Sequence, residues 1–197
     1  RPTRTPSLSN TTVSYVIQSG VAQRLKGFHQ RRDGNGGSFI YVRPASRDMR
    51  VSVIGGSSVS PETAAVAERL GERLADRGHT VVCGGLGGVM EAVFRGARGA
   101  GGETIGILPT DRRADANPHV TVPIATGMGH ARNALVVLNG DAAIAIDGSH
   151  GTLSEIGLTL AHGRPVAGID THDVAAVEAA ATPAEAVDYV EAAVREK

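Results

Sequence analysis

From Met49 onward the chain alternates short apolar runs with longer amphipathic stretches. Residues 51–54 form a β-branched run ending in Gly55-Gly56-Ser57-Ser58. Ser60-Pro61-Glu62 then opens a helix, with the serine as its cap and the proline in its first turn. Ala64, Ala67, Leu70 and Leu74 share one face of this helix, which runs to Arg77 and stops at Gly78. Residues 80–83 predict a second strand, followed by the glycine cluster 84–88 and a helix over 89–100. Residues 104–108 predict a third strand, closed by Pro109. After a polar loop over 110–118 come a strand over 120–124, a helix introduced by Gly127 to Gly129 and running to Leu138, and a strand over 141–146. A helix over 153–162 and a strand over 166–169 follow. Residues 174–181 fit either a helix or a short last strand, and Pro183 to Glu196 closes the chain as a helix with Ala186, Val190 and Val194 in register.

Strands and helices in strict alternation imply right-handed crossovers and a parallel sheet covered on both faces. The expected fold is α/β, a doubly wound, mostly parallel, Rossmann-like sheet forming one domain over residues 49–197. Such sheets bind ligands beyond the carboxyl ends of their strands, where the strand order reverses. The glycine clusters at 55–56, 84–88, 127–129 and 148–151 each follow a strand, so all four are expected on one edge.

Residues 1–48 differ in character. They carry eight Arg/Lys against two Asp/Glu, the remainder twelve against eighteen, so charges of +6 and −6 cancel in a net charge of zero. Pro, Ser, Thr, Asn and Gly are abundant, and no period is sustained beyond residues 11–28, as expected for a weakly ordered extension. Two origins stay open: a translation start at Met49, with the preceding residues an upstream artefact, or a natural flexible arm. A basic arm that touches nucleic acid is a minor third reading.

Composition removes several functions. The single cysteine, Cys83, allows neither a disulfide framework nor a cysteine zinc cluster. The histidines at 79, 119, 130, 150, 162 and 172 lack metal-ligand spacing, so no metal site is expected. Three Phe, three Tyr and no Trp leave little for base stacking, which argues against nucleic acid as a partner. No apolar run reaches membrane-span length and no leader pattern opens the chain, so the expectation is a cytoplasmic protein without a membrane partner. The dinucleotide pattern GxGxxG and the Walker A loop are both missing. The nearest match to the first, Gly127-Met128-Gly129-His130-Ala131-Arg132, ends in arginine.

What remains is an anion site. Asp147-Gly148-Ser149-His150-Gly151-Thr152 joins an apolar strand to a helix, and the free N–H groups and dipole of a helix N-terminus favour phosphate. Glu155 falls just inside that helix, near whatever the phosphate carries. Its plainer role is to stabilise the first turn. Arg132, expected in the first turn of its own helix, is poorly placed for a cation unless it meets a phosphate or carboxylate; otherwise it is a solvated surface arginine. His130 and His150 flank the two positions and fit surface roles better than proton transfer.

Gly55-Gly56-Ser57-Ser58, Val82-Cys83-Gly84-Gly85-Leu86-Gly87-Gly88-Val89-Met90, Ile105-Gly106-Ile107-Leu108-Pro109, Ala116-Asn117-Pro118, Gly127-Met128-Gly129-His130-Ala131-Arg132-Asn133 and Gly148-Ser149-His150-Gly151-Thr152-Leu153-Ser154-Glu155 occur in that order. Together they resemble the LOG-like (Lonely Guy) Rossmannoid superfamily over roughly residues 50–190. The Ala-Asn-Pro and Gly-Met-Gly-x-Ala-Arg-Asn elements are most similar to the branch with molybdenum-cofactor carrier proteins. The resemblance implies a small phosphorylated ligand, a homodimer or homotetramer, and catalytic roles for Arg132 and Glu155 in hydrolysing a nucleoside 5′-monophosphate, with no cofactor required. It assigns ligand or phosphate contacts to Gly55, Gly56, Ser57, Gly84, Gly85, Gly127, Gly129, Asn133, Gly148, Ser149, His150, Gly151 and Thr152. It also implies an alternative, a non-catalytic carrier with the molybdenum cofactor as bound ligand. The chain departs from the superfamily's usual loop, Pro-Gly-Gly or Gly-Gly-Gly before x-Gly-Thr, by having Asp147-Gly148-Ser149, and the carrier reading gains from this.

Overall fold

The computed structural model describes residues 28–32, 38–42 and 48–196. The chain divides into two compact units, 1–46 and 47–197. In the first, β1 (Phe28–Arg32) pairs antiparallel with β2 (Ser38–Val42) across the polar and glycine-rich residues 33–37. The rest of the period at 11–28 lies outside the described residues.

The second unit is built on a sheet of seven strands, all parallel: β3 (Arg50–Gly55), β4 (Thr80–Cys83), β5 (Thr104–Leu108), β6 (Val122–Ala125), β7 (Ala142–Ile146), β8 (Val166–Ile169) and β9 (Glu178–Ala179). Their spatial order is β6-β5-β4-β3-β7-β8-β9. The chain winds outward from β3 to β6, returns to the centre at β7 and winds outward again. The order therefore reverses between β3 and β7, which is where a doubly wound sheet opens a ligand crevice.

Five helices cover the two faces: α1 (Pro61–Asp76), α2 (Val89–Gly99), α3 (Asn133–Leu138), α4 (His150–Ala161) and α5 (Pro183–Arg195). Alternation along β3 divides the core. Val51 and Val53 pack with Leu70, Leu74, Val93, Phe94 and Val187 under α1, α2 and α5, whereas Ile54 packs with Val136, Val137 and Ile156 under α3 and α4. Ser52, on the second face, donates its hydroxyl to the Val136 carbonyl at 2.8 Å, which satisfies a polar group in an apolar layer. Helices α1 and α2 meet at two glycines, since a Cβ on Gly71 would overlap the Val93 carbonyl and one on Gly96 the Glu68 carbonyl.

The expected local signals are present at α1. Ser60 Oγ accepts the Thr63 N–H at 3.1 Å, Pro61 begins the helix, and Gly78 at φ 83° ends it. Three boundaries differ from expectation, and one open alternative is decided. The strand expected over 120–124 begins at Val122, because a turn from Asn117 to Val120 occupies its first residues. The helix expected after Gly129 is a 3₁₀ turn over Gly129–Arg132 before α3, with the Ala131 N–H bonding back three residues to Met128. Residues 178–179 form β9, which settles the 174–181 ambiguity in favour of a strand. Helix α4 starts at His150 rather than Leu153, so Glu155 lies in its second turn, away from the first-turn N–H groups. Among the described residues, no helix is long and apolar enough to cross a membrane.

Candidate functional site

The switch point is lined by the ends of β4, β3 and β7, in that order. The loop after β3 and the loop after β4 are tied together, since the Val89 N–H donates to the Gly56 carbonyl at 2.9 Å. A Cβ on Gly88, which holds φ 68°, would overlap the Gly56 carbonyl, so only glycine allows the loops this close. Gly55, Gly56 and Ser57 are thereby brought beside the 84–88 cluster. At β7 the turn folds onto α4, for a Cβ on Gly148 would overlap the hydroxyl of Thr152, which is buried. Ser149 caps α4 by position but gives it no side-chain hydrogen bond, and Ser149, His150 and Gly151 are exposed at the helix start.

Arg132 and Glu155 come from opposite halves of the sheet and meet. Arg132 ends the 3₁₀ turn after β6, and its guanidinium reaches back over the end of β4, where a Cβ on Gly84 would overlap its Nη2. Glu155 rises from α4. Arg132 Nη1 lies 3.5 Å from Glu155 Oε1 and also donates to Asn133 Oδ1. The Nε of Arg132 is buried with no hydrogen-bond partner among the described residues. Arg132 is therefore not a solvated surface residue.

Burial dominates the electrostatics. It pushes the Glu155 carboxyl up to about 7, and the opposing pull of the Arg132 guanidinium is smaller. A carboxyl in that range exchanges its proton near neutral pH. Burial, reinforced by the Glu155 charge, pushes the nearby Cys83 thiol up to about 12, and its Sγ donates to the Val53 carbonyl at 2.8 Å. Cys83 is thus a neutral packing residue.

The expected cluster at 127–129 behaves differently from the other three. Gly127 and Gly129 follow the outermost strand, β6, and are exposed; their N–H groups bond to the Thr110 and Pro109 carbonyls, each at 2.9 Å. They shape the turn that delivers Arg132 and Asn133 to the crevice. No group of three or more His, Cys, Asp or Glu with metal-binding geometry occurs among the described residues.

Three further residues organise the site without having stood out as candidates. Asn117 donates to the Leu86 carbonyl at 2.8 Å, and its own N–H bonds the Gly85 carbonyl at 2.9 Å, clamping the loop after β4. Thr171 donates to the Asp147 carbonyl at 2.6 Å and His172 Nε2 to the Ser149 carbonyl at 3.1 Å, so the loop after β8 is tied to the turn that leads into α4. Asn117 belongs to the Ala116-Asn117-Pro118 motif. Thr171 and His172 had no local signal, because their partners are 24 and 23 residues away.

The SLOG cluster4 family model matches residues 48–195. An uncharacterized protein from Archaeoglobus fulgidus is 43% identical over 143 residues, covering 72% of this chain and 93% of that protein. A probable cytokinin riboside 5′-monophosphate phosphoribohydrolase from rice (Oryza sativa subsp. japonica) is 36% identical over 117 residues. That match covers 57% of this chain and 48% of the rice protein, so the chain spans about half of its length. Among solved structures, the molybdenum cofactor binding protein of Rippkaea orientalis superposes with a TM-score of 0.71 at 32% identity, over 76% of this chain and 99% of that one. Motif order, sheet topology and these matches agree: the chain belongs to the SLOG cluster4 family, in the LOG-like superfamily and on the branch that includes molybdenum-cofactor carrier proteins.

Proposed function

We propose that this protein binds a nucleoside 5′-monophosphate and hydrolyses its N-glycosidic bond. The observation that carries this is the buried Arg132–Glu155 pair at the switch point, with Glu155 held near neutrality. Cleavage of an N-glycosidic bond builds positive charge on the ribose, much as sugar hydrolysis does, and an adjacent carboxylate stabilises that charge or takes a proton from the attacking water. Glu155 fills this role. Arg132 keeps its proton throughout, so it orients Glu155 and offers its unpartnered Nε–H to an oxygen of the ligand. The phosphate sits at the start of α4, against the N–H groups around Gly151 and Thr152. Water supplies the proton to the leaving base. Release of free base and ribose 5-phosphate from a panel of nucleoside 5′-monophosphates tests the proposal.

The second reading is a carrier of the molybdenum cofactor, favoured by the Rippkaea orientalis match, which spans nearly all of that chain. Arg132 Nε and the α4 start suit the phosphate of such a cargo equally well. Titration with the isolated cofactor, with Arg132→Ala as the weakened control, separates it from the first.

Either ligand is bound by a self-associating chain. Leu138 of α3 and Leu153 of α4 are 41% and 42% exposed, and Gly157, one turn after Leu153 on α4, has open space above it. A second copy packed on this face gives the homodimer, and pairing of dimers a homotetramer. Sedimentation of the intact chain, with Leu153→Glu as the disrupted form, checks it.

A further inference from the structure

Asp147 follows β7 directly, at φ 49°, in the left-handed region that glycine, asparagine and aspartate tolerate best. Its main chain is held on both sides: the N–H donates to the Ile169 carbonyl at 3.3 Å, and its own carbonyl accepts from Thr171 Oγ1 at 2.6 Å. With the backbone fixed, the side chain leaves toward β3, where Oδ2 comes within 3.4 Å of the place a Cβ on Gly56 would take. The carboxylate is half-buried at the reversal point, and no hydrogen bond or ion pair among the described residues uses it.

A carboxylate offers acceptors only, and its charge repels phosphate. The ligand must therefore turn a donor toward it. The site as a whole divides by charge. Arg132 and Glu155 stand over the end of β4, the start of α4 favours the phosphate, and Asp147 leans across the end of β3 from β7. Adjacent parallel strands lie about 4.8 Å apart, so the carboxylate over the end of β3 is about one strand spacing from the end of β4, where Arg132 and Glu155 stand. One ribose with its substituents bridges that span. Its vicinal hydroxyls are then the donors that face Asp147, an arrangement that strand-end carboxylates also use in dinucleotide-binding sheets.

We propose that Asp147 is a specificity-determining residue that accepts hydrogen bonds from the ribose hydroxyls of the ligand, so that the chain selects ribonucleotides over 2′-deoxyribonucleotides. This rests on the nucleotide reading of the site. The backbone makes a clean test available. Asp147→Asn and Asp147→Gly both suit φ 49°, so both variants keep the fold, with the melting temperature as control.

Dissociation constants of AMP, GMP and 2′-deoxy-AMP are measured by calorimetry for the parent chain and both variants, with release of base followed in parallel. The parent is expected to hold AMP roughly tenfold or more tighter than 2′-deoxy-AMP, the value of one charge-assisted hydrogen bond. In Asp147→Gly the two nucleotides fall within about twofold of each other, through weaker AMP binding alone. Equal affinities in the parent, or an unchanged ratio in Asp147→Gly, overturn the proposal, whereas Asp147→Asn, which keeps an acceptor oxygen without the charge, should fall between the two. So does a change confined to the AMP/GMP ratio, which would assign the carboxylate to an amino group of the base. Ribose discrimination without base release would contradict the hydrolase reading and uphold the hydroxyl contact. Failure to bind either nucleotide would contradict both.

Discussion

Arg132 Nη1 stands 3.5 Å from Glu155 Oε1, with the two side chains only 10% and 9% exposed. The separation is too long for a close ion pair, and the guanidinium is shared with Asn133. Attraction therefore offsets only part of the cost of burying the carboxylate, which explains why Glu155 titrates near 7 despite an adjacent arginine.

A pH dependence of activity follows. Glu155 acts in its ionised form, so kcat/KM for base release should rise about tenfold per pH unit below 7 and level off above it. A profile flat from pH 5 to 9 would remove Glu155 from the ionisation that controls the reaction.

Stability carries the opposite sign. Between 4.5, the ordinary value, and about 7, the folded chain keeps a proton that the unfolded chain has released, so stability falls as pH rises through this window. At 1.36 kcal/mol per unit the loss approaches about 3 kcal/mol. Glu155→Gln should therefore unfold at higher urea concentration than the parent at pH 8 and at nearly the same concentration at pH 4.5, while losing base release at pH 8.

Removal of the guanidinium should move the carboxylate further. In Arg132→Ala the inflection of the pH–rate profile rises above 7, and affinity for phosphate-bearing ligands drops. Arg132→Lys restores the charge but not the planar fork, so the inflection returns most of the way and affinity only in part. Rate profiles and ligand titrations of both variants check this.

Two glycine substitutions separate site from scaffold. Gly84→Ala places a methyl group against Arg132 Nη2 and Met90 Sδ, so ligand affinity should fall with the displaced guanidinium. Gly71→Ala forces α1 away from the Val93 carbonyl and should cost about 1–3 kcal/mol of stability with little change in affinity. Urea unfolding and calorimetry on the same samples distinguish the two.

Most of the scaffold could be read from residue order. The short apolar runs and the Ser60 and Gly78 signals lie within a few residues of what they specify, and β4, β5 and β8 fall where those runs put them. Elements set by distant partners were harder to see. The strand near 120 is trimmed by a turn and by Thr121 bonding to Thr104, and β9 exists only through its pairing with β8. At the site, Arg132 and Glu155 could be named from their motifs, but their contact spans both halves of the sheet and their burial is a tertiary fact. The Asp147 side chain likewise had a residue type without a direction until the positive φ and the Thr171 contact gave it one.

The most direct test of the proposed hydrolysis is the time course of free adenine and ribose 5-phosphate from AMP at pH 8, with the parent chain and Glu155→Gln side by side. The expected result is stoichiometric release of both products by the parent and none by the variant. AMP bound by the parent but left intact, with the other nucleoside 5′-monophosphates equally unreacted, would contradict it.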